Sequence, residues 1–308
     1  MSAVIAALVP IFLLILAGTL ARRYVATEEA HWIGLERLVY YVLFPALLIE
    51  TLARADLSRV PIAGVGGALL VAVLTVSALC LALRPVLARR YAVDGPAFTS
   101  VFQAATRFQT FVALAVANTL FGQVGLALAS VAIVAMIPVL NVINVTVLAH
   151  YASPKRPDAR ALAAALVRNP LIWSCLVGIA LNLAHPPIPQ PIHAFADALG
   201  RSSLALGLLM VGAGLRLRGL LRPAPATFVA SALKLVLLPV LALLLAAALG
   251  VAGSSLAVVA CCASVPTSSS AYVLARQMGG NAELLAEILT VQTLLAAVTM
   301  PAVIALVS

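Results

Sequence analysis

Apolar residues run along this chain in blocks long enough to cross a bilayer, divided by short polar stretches that carry most of the charge. A helix needs about 20 apolar residues to span the ~30 Å hydrocarbon core. The blocks are Ala3–Ala21, His31–Ala53, Ile62–Leu83, Gly95–Leu120, Val124–Ala149, Pro170–Ala184, Pro191–Leu215, Ala224–Leu249, Ser254–Met278 and Ala282–Val307. They predict an all-α polytopic membrane protein with ten transmembrane helices.

The ninth block breaks its own pattern. Ser264-Val265-Pro266-Thr267-Ser268-Ser269-Ser270 lies at its centre. Proline removes a backbone N–H and clashes with the preceding turn. Hydrocarbon offers no partner to the carbonyls this frees. The expectation is a broken helix facing protein or water. Broken helices at mid-depth are where many secondary transporters hold their substrate.

Composition agrees with a membrane protein. Of 308 residues, 64% are hydrophobic and 9% charged, against roughly 25% charged in soluble domains. The net charge of +9 is scattered and forms no basic tract. That argues against nucleic acid as a partner and for basic cytoplasmic loops. Thirteen of the 19 Lys and Arg residues fall in loops that follow odd-numbered spans, and the opposite loops hold only Arg54 and Arg59. This asymmetry places both termini outside the cytoplasm. Met1–Leu20 has no basic leading region and reads as a first membrane helix rather than a removable signal.

The longest polar interruption, Tyr151–Arg168, includes Ala161–Val167 as an expected interfacial helix. It divides the chain into residues 1–150, a linker at 151–168, and residues 169–308. Each half holds five spans, so a repeat relating them must be inverted across the membrane. Phe108-Gln109-Thr110 in span 4 stands where Pro266-Thr267-Ser268 stands in span 9, with Gly122 and Gly280 following at equal distances.

Span 4 carries Gln103, Thr106, Arg107, Gln109 and Thr110. Arg107 lies about ten residues into its span, or about 15 Å deep. A charge there should face a cavity or a partner. A guanidinium can grip a carboxylate bidentately, which suggests an anion site; a buried structural pair is the alternative. Lys234 has similar depth. It could neutralise substrate, stand in for a coupling cation, or hold the broken helix by bonding its loose carbonyls, and the last role is expected. Asn141 and Asn144 share a helix face and either line a cavity or tie helices together. Gln292 and Thr293 in span 10 offer the same choice. Pro45, close behind Tyr40, Tyr41 and Phe44, should bend span 2.

Enzyme chemistry finds no support at mid-depth. Glu50 and Asp197 lie nearer span ends, each four residues before an arginine, Arg54 and Arg201, so local pairing is expected. His31, His150, His185 and His193 sit at span ends. Cys80, Cys175, Cys261 and Cys262 lie within apolar blocks without metal-type spacing and read as packing residues. Neither a metal set nor a cofactor motif is visible. A transporter or a sensor built on a transporter fold remains.

Several segments together resemble the auxin efflux carrier family of bacterial, fungal and plant transporters. They are Leu38-Val39-Tyr40-Tyr41-Val42-Leu43-Phe44-Pro45-Ala46-Leu47-Leu48, Ile137-Pro138-Val139-Leu140-Asn141-Val142, Arg168-Asn169-Pro170-Leu171-Ile172, Leu209–Leu215, Lys234–Pro239, and Pro266–Ala275 with Gly279-Gly280. The resemblance implies ten helices in two inverted five-helix halves. It implies a scaffold domain of helices 1, 2, 6 and 7, and a transport domain of helices 3–5 and 8–10. Helices 4 and 9 would cross as interrupted helices beside the substrate.

Bacterial relatives include carriers of malonate and other small carboxylates, and Arg107 just before Gln109 resembles that branch. The architecture also resembles bile acid:sodium symporters. The implied protein is a secondary transporter of a small organic anion in the bacterial inner membrane, dimeric through its scaffold, with elevator-like or rocking movement. Arg107, Gln109, Thr110, Asn141, Thr267, Ser268 and Ser269 would bind substrate. Pro266 and Pro45 would shape the helices, and Lys234, Asn144 and Gln292 would support the site or couple it to an ion. Sodium, protons and simple uniport all stay open. In one respect the chain departs from the family: span 4 contains no proline beyond Pro96 at its very start, and so lacks the mid-span residue that would break it.

Overall fold

Proline placement shapes several helices before packing is considered. The computed structural model describes residues 2–55, 62–152, 170–216 and 223–307. The expected helix at Ala161–Val167 lies outside these described residues. The elements are α1 Ser2–Tyr24, α2 Glu29–Leu38, α3 Phe44–Arg54, α4 Ile62–Tyr91, α5 Gly95–Thr106, α6 Thr110–Tyr151 and α7 Pro170–Ala184. They continue with α8 Gln190–Ala213, α9 Pro225–Ala232, α10 Leu238–Ala248, α11 Gly253–Ser264, α12 Ser269–Met278 and α13 Ala282–Ala305. Among the described residues no strand occurs.

Pro45 stands at the start of α3 directly after a π turn, Val39–Leu43. Pro239 stands likewise at the start of α10 after the π turn Leu233–Leu237. A proline ring cannot share space with the carbonyl one turn back, and a wider turn relieves that conflict. The expected disturbance of span 2 by Pro45 therefore takes the form of a π turn that begins at Val39. Pro266 acts more severely. Residues 265–268 leave the helix altogether between α11 and α12.

Eight helical runs among the described residues are long and apolar enough to cross a membrane, and α7 is a shorter apolar helix of 15 residues. The longest run, Gly95–Tyr151, does not continue straight. Gly122 adopts φ 58° and ψ −147°, a conformation open to glycine and strained for other residues. There the chain folds back, so that Gly125 lies against the Ala117 backbone and Asn141 returns to the level of Arg107.

Small residues set the tightest contacts, as is usual where apolar lipid leaves packing to drive helix association. Gly18 on α1 meets the Leu209 backbone of α8, and Gly212 meets the Ile15 backbone in return. The Thr19 hydroxyl donates to Gly212 O at 2.9 Å in the same seam. Asn182 on α7 donates to Ala53 O and Ala55 O at the end of α3. Thus α1, α3, α7 and α8 form one packed group. In the rest, α4 packs on α10 and α11 packs on α6, while α13 lies against α5, α9, α11 and α12.

Polarity is turned outside in. Leu13, Leu244 and Val298 are among large apolar side chains exposed on the outer faces, whereas Thr99, Gln103, Thr106, Asn144, Thr267, Gln292 and Lys234 are fully buried. Water would favour the reverse distribution, and a bilayer tolerates this one.

Candidate functional site

The sequence leaves span 4 without a breaking residue, but the helix breaks there nonetheless. Residues 107–109 are non-helical between α5 and α6. Arg107 takes extended angles, φ −71° and ψ 154°, and Gln109 follows with φ −83° and ψ 98°. The second break, at 265–268, lies directly against the first. The Gln109 N–H donates to Pro266 O at 2.9 Å, and the Thr267 hydroxyl contacts Gln103 O at 3.4 Å. Each break therefore takes up polar groups that the other exposes.

Gln292 joins them to α9. Its Oε1 accepts from the Thr267 N–H at 2.9 Å, and its Nε2 donates to Ala104 O at 3.2 Å and Ala230 O at 3.3 Å. Gln292 is thus a buried clamp among three segments. Thr293 instead bonds back to Leu289 O within its own helix. Asn144 is also a tie, donating to Leu140 O at 2.7 Å and accepting from the Thr106 hydroxyl at 3.3 Å.

Arg107 occupies the centre. Its Nη2 donates to Asn141 Oδ1 and to Ser270 Oγ, both at 3.3 Å. Its Nη1 is buried with no hydrogen-bond partner among the described residues. No carboxylate lies within ion-pair distance of it among those residues, so the expected alternative of a structural ion pair is absent there. Gln109 is buried and donates from Nε2 to Ser269 Oγ at 3.1 Å. Ser268 caps α12 by accepting from the Ser270 N–H at 3.1 Å. Thr110 opens α6 and is half-buried. The proposed binding residues Arg107, Gln109, Asn141 and Ser269 are thus brought together, with Thr267 committed to structure and Thr110 at the rim.

Both α6 and α12 begin at the crossing, so two helix N-termini converge on it. Each presents unbonded N–H groups and a partial positive charge near +0.5 e. With the guanidinium, the centre carries an excess of donors and positive potential. Such an arrangement can hold an anion.

Lys234 behaves differently from expectation. It is completely buried in the π turn after α9, near the Cys262 thiol, and its Nζ has no hydrogen-bond partner among the described residues. It does not secure the broken helix by hydrogen bonds, because its Nζ reaches no acceptor among the described residues. The local ion pairs form as expected, with Arg54 to Glu50 at 3.3 Å and Arg201 to Asp197 at 2.5 Å. His193 also lies 2.9 Å from Glu50.

Three further residues lie at the crossing although the sequence reading did not single them out for it. Ser270 receives Arg107, Gln103 is buried with both amide atoms unbonded among the described residues, and Tyr40 lies near Arg107. Ser270 was within the hydroxyl run, but only the turn of α12 decides which hydroxyls face inward.

The model for membrane transport proteins matches residues 3–304, almost the entire chain. This chain belongs to the auxin efflux carrier family. No curated protein matches it significantly. A multi-pass membrane transporter of the auxin efflux carrier family accounts for the apolar exterior, the buried polar layer and the paired helix breaks together.

On the side of Glu50, a cavity of about 650 Å³ lies between α3, α8 and the Gly122 turn, with Asn118, Gln123, Asp197 and Arg201 in its wall. One turn deeper, Phe44 and Phe111 meet edge to face with centroids 5.0 Å apart. Phe111 also presses on Gly207, where a Cβ would strike its ring. Along their helices Phe44 lies one turn from the cavity-lining Leu47 and Gly207 one turn from Leu204, and Phe111 falls between Gln109 and the cavity-lining Asn118.

Proposed function

We propose that this auxin efflux carrier family protein is a secondary transporter of a small organic anion, a mono- or dicarboxylate, held at the crossing of the two broken helices. The observation that carries the reading is Arg107: a central guanidinium with one nitrogen lacking a partner among the described residues, beside two helix N-termini. Buried polar groups are normally bonded, so Arg107 Nη1 and the Gln103 amide represent capacity that substrate or water would fill. Gln109, Asn141, Ser269 and Ser270 would orient the anion.

The wider architecture supports alternating access. Counting the reversal at Gly122 as two crossings and including α7 gives ten crossings, five before the linker and five after. The group α1, α3, α7 and α8 would be the scaffold, and the remainder the moving transport domain. Phe44 and Phe111 would then be a gate between the cavity at Glu50 and the substrate. An elevator-like displacement of the α5–α6 and α11–α12 crossing past Phe44 and Tyr40 would carry the anion. A carboxylate of malonate size suits the single guanidinium and short hydroxyls.

The test is uptake of radiolabelled small carboxylates into proteoliposomes. Arg107→Ala should lower uptake at least about 100-fold, the range of effects when a charged group is lost from a buried polar site. Its thermal unfolding should remain cooperative. Undiminished uptake by that variant would remove the anion site from Arg107.

A further inference from the structure

Away from the crossing, α12 carries a ladder of polar groups toward the Glu29 end of the protein. Ser268, Tyr272 and Arg276 are spaced four apart and so share one helix face. Ala271 and Ala275, on an adjoining face, are fully buried. Tyr272 lies about one turn, or ~6 Å, beyond the hydroxyls at the crossing.

Two arginines converge on Tyr272. Arg216, just past α8, donates to the phenol oxygen at 2.7 Å, and its guanidinium lies 5.0 Å from the ring centroid. Arg276 lies 5.9 Å from the same centroid. Glu29 at the start of α2 reaches the second of them, Arg276, at 3.5 Å, and also Arg22 at 4.0 Å. Among the described residues Arg216 has no ion pair within 4.0 Å, although Glu283 and Glu287 share a pocket wall with it. Glu29 is thus shared between two arginines, and Arg216 spends one guanidinium N–H on the Tyr272 phenol.

Exposed pairs between long side chains add little to stability. Both members of the Glu29–Arg276 pair have side chains more than half exposed. Their arrangement is better explained by what it occupies. Arg22 lies on α1 and Glu29 on α2, which packs on α8 of the same group, whereas Tyr272 and Arg276 belong to the broken helix. The Glu29 contact therefore spans the boundary across which the two groups would move.

We propose that Arg216, Arg276 and Tyr272 form a second carboxylate site, at the mouth one to two turns from the crossing, and that Glu29 holds its Arg276 edge here as an internal ligand. This rests on the reading of the chain as an anion carrier and supplies the next station on the substrate's path. A leaving carboxylate displaces Glu29 from Arg276, and the contact between the two helix groups opens as it does so. Glu29 returning to Arg276 closes the mouth and expels the anion. Exchange of one carboxylate for another needs no external reactant.

Binding of succinate to the purified full-length protein, measured by calorimetry and thermal shift, tests the site. Removing the internal ligand from Arg276 should tighten apparent affinity about tenfold in Glu29→Gln, as when the competent state is about one-tenth populated. Glu29→Asp keeps the carboxylate and should retain the wild-type affinity. In the Glu29→Gln background, adding Arg276→Gln should abolish the gain, while adding Arg107→Gln should leave it. Succinate binding in Glu29→Gln no tighter than in the wild type overturns the proposal. So does a gain that survives Arg276→Gln, or one that Glu29→Asp shares. The function reading fails separately, if Arg107→Ala leaves uptake intact.

Discussion

The break between α11 and α12 contains a proline and the start of a run of four hydroxyls, and the break between α5 and α6 contains neither. They nevertheless lie side by side, joined through the Gln109 N–H and Pro266 O. At 265–268 the missing N–H and the ring of Pro266 exclude a regular helix whatever surrounds it, and Ser268 caps the next helix from within. At 107–109 nothing in the local covalent structure forbids a helix. That break persists because its open backbone groups are bonded by residues distant in sequence, namely Pro266, Thr267 and Gln292. One interruption is intrinsic and the other is imposed, and the imposed one positions Arg107.

The most direct way to break this comparison is Gln292→Leu. It strips a donor or acceptor from Thr267 N, Ala104 O and Ala230 O at once. Buried groups left unsatisfied cost about 1–3 kcal/mol each in general, and membrane interiors lie at the low end. A loss of about 3 kcal/mol in unfolding free energy is expected, with the break at 107–109 affected more than that at 265–268. Distance measurements between spin labels on α5 and the first turns of α6 would show it. Equal disturbance of both breaks would erase the distinction between them.

Ser268→Ala should have a smaller effect, about 1 kcal/mol, the usual value of an N-cap. It acts only on the start of α12, so protection from hydrogen exchange should fall at Ser270 and Ala271 while α6 is unchanged. Pro266→Ala should do least. Restoring the N–H removes the restriction proline places on the unfolded chain and costs about 0.5 kcal/mol, provided the clamps at Gln109 and Thr267 keep the backbone open. A continuous helix through 265–268 in that variant would mean that proline alone maintains the break. These two measurements sharpen the contrast by separating the local cap and ring from the distant bonds.

Particular residues show how far the site could be read in advance. Pro266 and its hydroxyls announce themselves because an apolar block has no other use for them, and Arg107 does so because charge at that depth needs a reason. Glu50 with Arg54 and Asp197 with Arg201 pair as their four-residue spacing requires. Gln292, by contrast, looked the same as Thr293 in the sequence, yet it clamps three segments while its neighbour bonds only within its helix. Lys234 shows the opposite failure. A loose carbonyl and a nearby cation suggest a bond, but the Lys234 Nζ reaches no acceptor among the described residues.

Apolar block length, proline and the distribution of charge are local or cumulative properties of a chain. They suffice to place this one in a membrane, mark its helices and locate the break at Pro266. The break at Arg107, the choice of Ser269 and Ser270 among four hydroxyls, and the clamp at Gln292 belong to the folded protein alone. A hydrogen bond between residues 109 and 266, or 104 and 292, depends on two segments arriving at one depth and orientation. That outcome is set by the packing of the whole helix array, and no property of either segment alone encodes it.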